Sequence, residues 1–272
     1  MEQESSLRRS IGFYALLFYG VGTMVGGGFY ALLGKVAGEA GVYLPVALGV
    51  AGLIALVNSC AFSELSSRFP VSAGESRYVL EGFKLSWLSQ LTGWMIVTTG
   101  VVSAATLAVA ITGFLRDLVA VPETISLLIT VALLGGIAAW GVAESVAVVV
   151  VITVIEVSAL IFIIVVNSGN LIDLPTVWQA TGDNSSPSTI MGIFTGAFLT
   201  FYAFIGFEDM VNMAEEVKEP ERNLALAIPL SVLITTIIYI LVGVVAIASV
   251  PVERLLNSAT PMAELVGSSG TI

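Results

Sequence analysis

Gly20-Val21-Gly22-Thr23-Met24-Val25-Gly26-Gly27-Gly28 lies inside the first apolar run of the chain, which extends from about residue 11 to residue 38. Each glycine costs a helix roughly 0.5–1 kcal/mol relative to alanine, so three in succession are a poor way to build a continuous rod. The run is long enough to cross a bilayer. No water in the hydrocarbon satisfies backbone freed by unwinding, and such backbone survives only where protein surrounds it or where it lines a cavity. The stretch predicts a break near residues 22–28. Two half-helices would then meet at mid-membrane, the second pointing unpaired N–H groups into the gap, a ready site for a carboxylate. Gly22-x-x-x-Gly26 is equally a small-xxx-small packing motif, and both readings stand at this point. A dinucleotide loop does not fit, because the spacing Gly20-x-Gly22-x-x-x-Gly26 is one residue too long and no strand precedes it.

Composition sets the class. Of 272 residues, 57% are hydrophobic and only 11% charged, with a mean hydropathy of +0.99; a soluble domain carries about 25% charged residues. This excludes a soluble enzyme, a disordered chain and a nucleic-acid binder, and leaves an integral membrane protein whose solvent is the lipid bilayer. The net charge of −10 also opposes a phosphate backbone as partner. There is no histidine, so a His-centred triad, His-ligated zinc and a His pH switch are excluded. The single cysteine, Cys60, excludes an internal disulfide and a thiolate cluster; in its apolar run it reads as an inert core residue. No cofactor and no metal are expected. Residues 1–10 are polar and short, and the run after them is too long for a secretory h-region, so it reads as retained.

A spanning helix needs about 20 mostly apolar residues, and strand-type alternation is absent. Seven runs qualify, at roughly 11–38, 43–63, 86–115, 124–140, 145–167, 189–214 and 224–250. Positive charge orients them. With the N-terminus inside, the inner loops hold Arg8, Arg9, Arg68, Arg77, Lys84, Lys218 and Arg222, against Lys35, Arg116 and Arg254 elsewhere. The expectation is a multi-pass plasma-membrane protein with a cytoplasmic N-terminus. Residues 251–272 read as an external loop cut mid-course, and truncation or a partner subunit is expected to account for missing C-terminal helices.

The sixth run contains Phe204-Ile205-Gly206-Phe207-Glu208-Asp209. A charge at the bilayer centre costs at least about 2.5–3.5 kcal/mol, so the acids face a cavity, sit at a depth reached by water, or are protonated. The apolar character of Met210, Val211, Met213 and Ala214 beyond them favours a second broken helix over a span that ends at Phe207. Interrupted first and sixth helices point to a transporter whose site lies between repeats. Residues 11–167 form a first five-helix repeat and 189–250 the first two helices of an inverted second one, all within a single membrane domain.

Three stretches carry a family resemblance. The first is Gly22-Thr23-Met24-Val25-Gly26-Gly27-Gly28-Phe29-Tyr30. The second is Glu64-Leu65-Ser66-Ser67-Arg68-Phe69-Pro70 with Gly74 and Tyr78. The third is Phe201 to Glu208 followed by Ala214-Glu215-Glu216-Val217-Lys218-Glu219-Pro220-Glu221-Arg222-Asn223. In this order they resemble the amino acid–polyamine–organocation permeases, which share the five-plus-five inverted-repeat fold of the leucine transporter. The resemblance implies a secondary transporter, not an enzyme, that symports or exchanges amino acids or related amines. Carried over, Thr23, Met24, Val25, Gly26, Gly27 and Gly28 hold the substrate carboxylate. Phe204, Ile205 and Gly206 offer carbonyls to the ammonium, with Phe207 or Phe204 as an aromatic gate. Glu208 neutralises a cationic substrate, carries a proton, or ties the broken helices together.

Glu156, alone among ionisable residues in the middle of the fifth run, stands where some relatives place a lysine. It reads as a proton carrier or as a neutral carboxyl hydrogen-bonded to helix-one backbone. The run Glu215 to Asn223 reads chiefly as a solvated loop pinned by Pro220, with Arg222 and Lys218 pairing with neighbouring acids; an inner gate formed with Glu64, Arg68, Glu75 and Arg77 is the other reading. A membrane scaffold or sensor that keeps the breaks as packing devices is the alternative class; a membrane-embedded enzyme has no supporting motif beyond the Glu208–Asp209 pair.

Overall fold

The structure, a computed structural model, describes residues 9–118, 122–180, 187–258 and 260–268. Arg8, the side chain of Arg116 and residues 269–272 of the tail lie outside the described residues. Helix α1 (Phe13–Met24) ends where Val25 (φ −78°, ψ 95°) and Gly26 (φ −164°, ψ −162°) run extended, and α2 (Gly27–Ala40) begins immediately after. A 3₁₀ turn at Gly41–Tyr43, with Gly41 in the left-handed region at φ +58°, redirects the chain into α3 (Leu44–Arg68). Then come α4 (Gly74–Phe83), α5 (Ser86–Leu118), α6 (Glu123–Trp140), α7 (Val142–Val166), a 3₁₀ segment Ser168–Asp173 and α8 (Leu174–Ala180). Next is α9 (Pro187–Phe204), which stops at Ile205–Phe207 and continues as a 3₁₀ segment, Glu208–Met213. Last are α10 (Pro220–Ser249), α11 (Val252–Asn257) and α12 (Pro261–Ser268). There is no β-strand among the described residues.

By length and composition, five stretches suffice to cross a membrane: Gly27–Arg68, Ser86–Val109, Val142–Val166, Pro187–Met213 and Pro220–Ser249; Phe13–Met24 and Thr124–Trp140 are shorter apolar helices. The seven expected runs map onto these, with the first divided between α1 and α2. Three features escape a hydropathy reading. One is α4, an amphipathic helix after the second run. Another is α8. The third lies within 251–272, where α11 and α12 are helical and α11 lies against α2, a Cβ at Gly34 meeting Leu255 O at 2.2 Å.

Two of the main helix pairs, α3 with α10 and α2 with α9, run antiparallel within one core. Along α3 and α10, Gly52 faces Thr236 and Gly243 faces Leu48, while Ser63 Oγ donates to Ala225 O at 2.6 Å. That last bond has a cause. Pro229 has no N–H for the carbonyl four residues earlier, and the Ser63 hydroxyl supplies the donor that the hydrocarbon cannot. Along α2 and α9, Gly192 faces Glu39 O and Gly196 faces Ala40 and Ala47, so a small-xxx-small stripe sets this approach. Glycines of α1 do the same work: a Cβ at Gly20 would lie 2.4 Å from Met210 Sδ, and one at Gly22 would lie 1.9 Å from Thr153 Oγ1 on α7. The packing reading therefore holds for Gly20 and Gly22. Outward faces of α5 and α6 carry exposed Trp87, Trp94 and Trp140, as apolar surfaces in lipid do.

Gly22→Ala should destabilise the protein in detergent by about 1–3 kcal/mol through overpacking, read as a lowered thermal midpoint. Thr153→Ala in the same chain should recover part of that loss. Gly26→Ala, whose Cβ meets nothing within 4 Å, should leave the midpoint within about 0.5 kcal/mol of the parent.

Candidate functional site

Interrupting a helix leaves its last carbonyls and the next helix's first N–H groups without intrahelical partners. The two interruptions meet, and much of this debt is settled between them. Thr23 Oγ1 lies 3.0 Å from Gly20 O and 3.0 Å from Gly206 O. Gly206 sits at φ +138°, and a Cβ there would be 2.8 Å from Thr23 O, so only glycine permits this approach. Glu208 closes the same turn, its Oε2 accepting from Gly206 N–H at 2.8 Å.

Tyr239 on α10 is the residue that sequence reasoning missed. Its side chain is fully buried, and its hydroxyl donates to Met24 O at 2.7 Å, with Ala203 O 3.3 Å away. One phenol thus serves the C-terminal ends of both α1 and α9. Its ring stacks on Phe29, centroids 3.7 Å apart, and meets Phe204 edge-on at 5.2 Å. A buried tyrosine needs a partner for its hydroxyl. In sequence it is one apolar-helix aromatic among several, and nothing local marks it.

The residues assigned to the first break divide. Met24 and Val25 side chains are buried and leave only backbone to a ligand. Thr23 is spent on Gly206. Gly26 and Gly27 have nothing within 4 Å of their Cβ positions, and Gly28 has only Tyr202 Cε1 at 3.9 Å. Phe29 N and Tyr30 N bond to Gly26 O at 3.0 and 3.3 Å, so α2 proper starts with the amides of Gly27 and Gly28 lacking a helical acceptor. Gly26 is extended, a conformation any residue adopts; its value here is the missing side chain. At the second break Gly206 O accepts from both Thr23 and Asp209 N–H, the latter at 3.2 Å. Phe204 packs on Tyr239, Phe207 packs edge-to-face on Phe62 at 5.5 Å and 89°, and Ile205 is exposed. Both phenylalanines are held in the core.

Glu156 projects from α7 close enough to Tyr30 and Tyr239 for its charge to act on both. Among the described residues no hydrogen bond joins it to the α1–α2 backbone, which corrects that alternative.

The charged residues at this end pair locally. Arg68 pairs with Glu64 at 2.5 Å, Arg77 with Glu81 at 2.7 Å, Lys84 with Glu81, and Arg222 with Glu219 at 3.9 Å; each pair stays within its own segment. Backbone and hydroxyl bonds make the connections between segments instead. Ser10 and Ile11 N–H reach Glu216 O at 2.9 and 3.0 Å, and Lys218 N–H returns to Ile11 O at 2.8 Å. Ser72 and Glu215 exchange two bonds, Ser72 N–H to Oε1 at 3.3 Å and Glu215 N–H to Oγ at 3.2 Å.

Comparison with known proteins gives the family. Its description is amino acid permease, and its model matches residues 15–271. In Arabidopsis thaliana, "Cationic amino acid transporter 4, vacuolar" is 34% identical over 94% of this chain and 45% of its own length. "Cationic amino acid transporter 3, mitochondrial" is 31% identical over 97% of this chain and 46% of its own. In Homo sapiens, "Cationic amino acid transporter 4" is 30% identical over 91% of this chain and 42% of its own. The chain spans about half the length of these curated relatives, which are transporters and not enzymes. With helices long and apolar enough to cross a membrane several times, the chain is a multi-pass membrane protein and belongs to the amino acid permease family.

Proposed function

We propose that this chain forms the substrate-holding part of a secondary transporter for amino acids or related amines, working by proton-linked symport or exchange. The observation that carries the reading is the meeting of two helix interruptions, tied by Thr23 and Tyr239, beside glycines whose Cβ positions open onto unfilled space. A zwitterion suits opposed helix ends, because their dipoles complement both of its charges without a fixed counter-ion. The carboxylate is proposed to meet the amides of Gly27 and Gly28, at the positive end of α2. With Gly206 O engaged by Thr23, the carbonyls of Phe204 and Ile205 take the ammonium. Glu208, bonded to Gly206 N–H, ties the second break, and Glu156 is the proposed proton carrier. The proposed orientation keeps the N-terminus cytoplasmic, and the proposed location is the plasma membrane, although the names of relatives place them in vacuolar, mitochondrial and chloroplastic settings.

Uptake of labelled amino acids into proteoliposomes tests the reading. Accumulation should occur, and an inward proton gradient or a counter-substrate should raise it. Absence of uptake together with absence of any amino-acid-induced thermal shift would favour the scaffold alternative. Gly27→Leu should weaken amino acid binding by at least about tenfold, since the side chain covers the amides that would hold the carboxylate, while its thermal midpoint stays near the parent's. Glu156→Gln should remove the dependence of uptake on the proton gradient and leave substrate binding in place; an unchanged gradient response would assign the proton elsewhere.

A further inference from the structure

The chain turns from α4 into α5 at Phe83-Lys84-Leu85-Ser86-Trp87, and every residue from Gly82 to Trp87 is exposed. The two helices at this corner are fastened to each other. Ser76 Oγ donates to Ser89 O at 3.1 Å, and Ser89 Oγ donates to Ser76 O at 2.8 Å. Lys84 closes α4 in the left-handed region at φ +57°, its N–H bonded to Leu80 O at 2.8 Å. Glycine is the ordinary residue for that conformation. Here the position carries a long cationic side chain instead.

Three charges meet at the corner. Arg77 Nη2 lies 2.7 Å from Glu81 Oε1, and Lys84 Nζ bonds the other oxygen, Glu81 Oε2. Two cations over one carboxylate leave a surplus positive charge. A guanidinium has five N–H donors and an ammonium three, so Glu81 engages only a fraction of them. The Arg77 and Lys84 side chains keep 44% and 71% of their surface open. Apolar surface begins directly after the charges. Trp87, Leu91 and Trp94, spaced i, i+4 and i+7, share one face of α5, and all three are exposed, as are Phe83 and Leu85 on either side of Lys84. They stand at the start of the candidate span Ser86–Val109, almost none of which is buried within the protein. Tryptophan is favoured at headgroup level, where one end of the ring is apolar and the other wet.

A surplus cation beside a lipid-facing stripe selects the ligand. A soluble anion would meet exposed charges alone, and water and salt screen those. A phospholipid brings its phosphate to the start of the span and lays its acyl chains on the apolar face below. We propose that the α4–α5 corner seats an anionic phospholipid. Arg77 and Lys84 bond the headgroup phosphate, Glu81 holds the two cations side by side, and Trp87, Leu91 and Trp94 take an acyl chain. A zwitterionic headgroup gains less, because the surplus charge repels its own cation. The seat is independent of any transported substrate.

The test reconstitutes the full chain in vesicles of phosphatidylcholine and phosphatidylglycerol with matched acyl chains, brominated on one lipid at a time. Bromine quenches nearby tryptophan, and subtraction of the Trp87→Phe signal isolates the lipid preference at Trp87. Phosphatidylglycerol should be preferred about fivefold, the effect of one positive charge beside the membrane surface. Arg77→Gln combined with Lys84→Gln should bring the preference to parity or below. Glu81→Gln, which doubles the surplus charge, should raise it severalfold, a gain that misfolding does not produce. Equal quenching by both lipids in the parent, or a preference that ignores all three substitutions, would overturn the seat. Glycerol 3-phosphate in solution should not displace the lipid; if it does, the corner binds soluble phosphate and the lipid seat is overturned.

Discussion

A polypeptide inside hydrocarbon must find a partner for every backbone polar group, and it interrupts a helix only where protein supplies those partners. Here two interruptions supply each other. Thr23 reaches Gly206, Gly206 N–H reaches Glu208, and Tyr239 reaches the last carbonyls of α1 and α9. A hydrogen bond contributes about 1 kcal/mol net, whereas an orphaned buried group costs about 1–3 kcal/mol. The knot matters chiefly because undoing it strands several groups at once. It also fixes the separation between the two breaks, which any ligand held between them must match.

The glycines divide by what a methyl group would strike. Gly20, Gly22, Gly192 and Gly196 lie where helices touch, and a side chain there collides with a neighbour. Gly26 and Gly27 lie where a side chain meets nothing. The first set lets α1, α7, α2 and α9 pack closely enough for the knot to form. The second leaves the end of α2 uncovered. One short stretch of sequence thus combines a packing surface with an open backbone edge, a few residues apart.

Cohesion at the end holding Ser10, Ser72 and Glu215 follows the same logic. The ion pairs there are local and exposed, and such pairs contribute little. The segments are joined by backbone bonds from Ser10 and Ile11 to Glu216 and by the Ser72–Glu215 exchange. These bonds connect the segment before α1 and the loop before α4 to the chain leaving the second break.

The sequence by itself determined the class of protein, the apolar runs, and the two places where regular helix fails, because composition and the clustering of glycine and acid act locally. It also pointed to the family through Gly22–Tyr30, Glu64–Tyr78 and Phe201–Asn223. It left open whether Gly22 and Gly26 serve packing or a ligand, and whether the charges near Glu64 and Arg222 pair locally or across segments. Those questions turn on what stands opposite a residue across the core. Thr153 against Gly22 and Tyr239 under both helix ends are meetings between distant parts of the chain, and only the packing of α1 on α7 and on α10 brings them about.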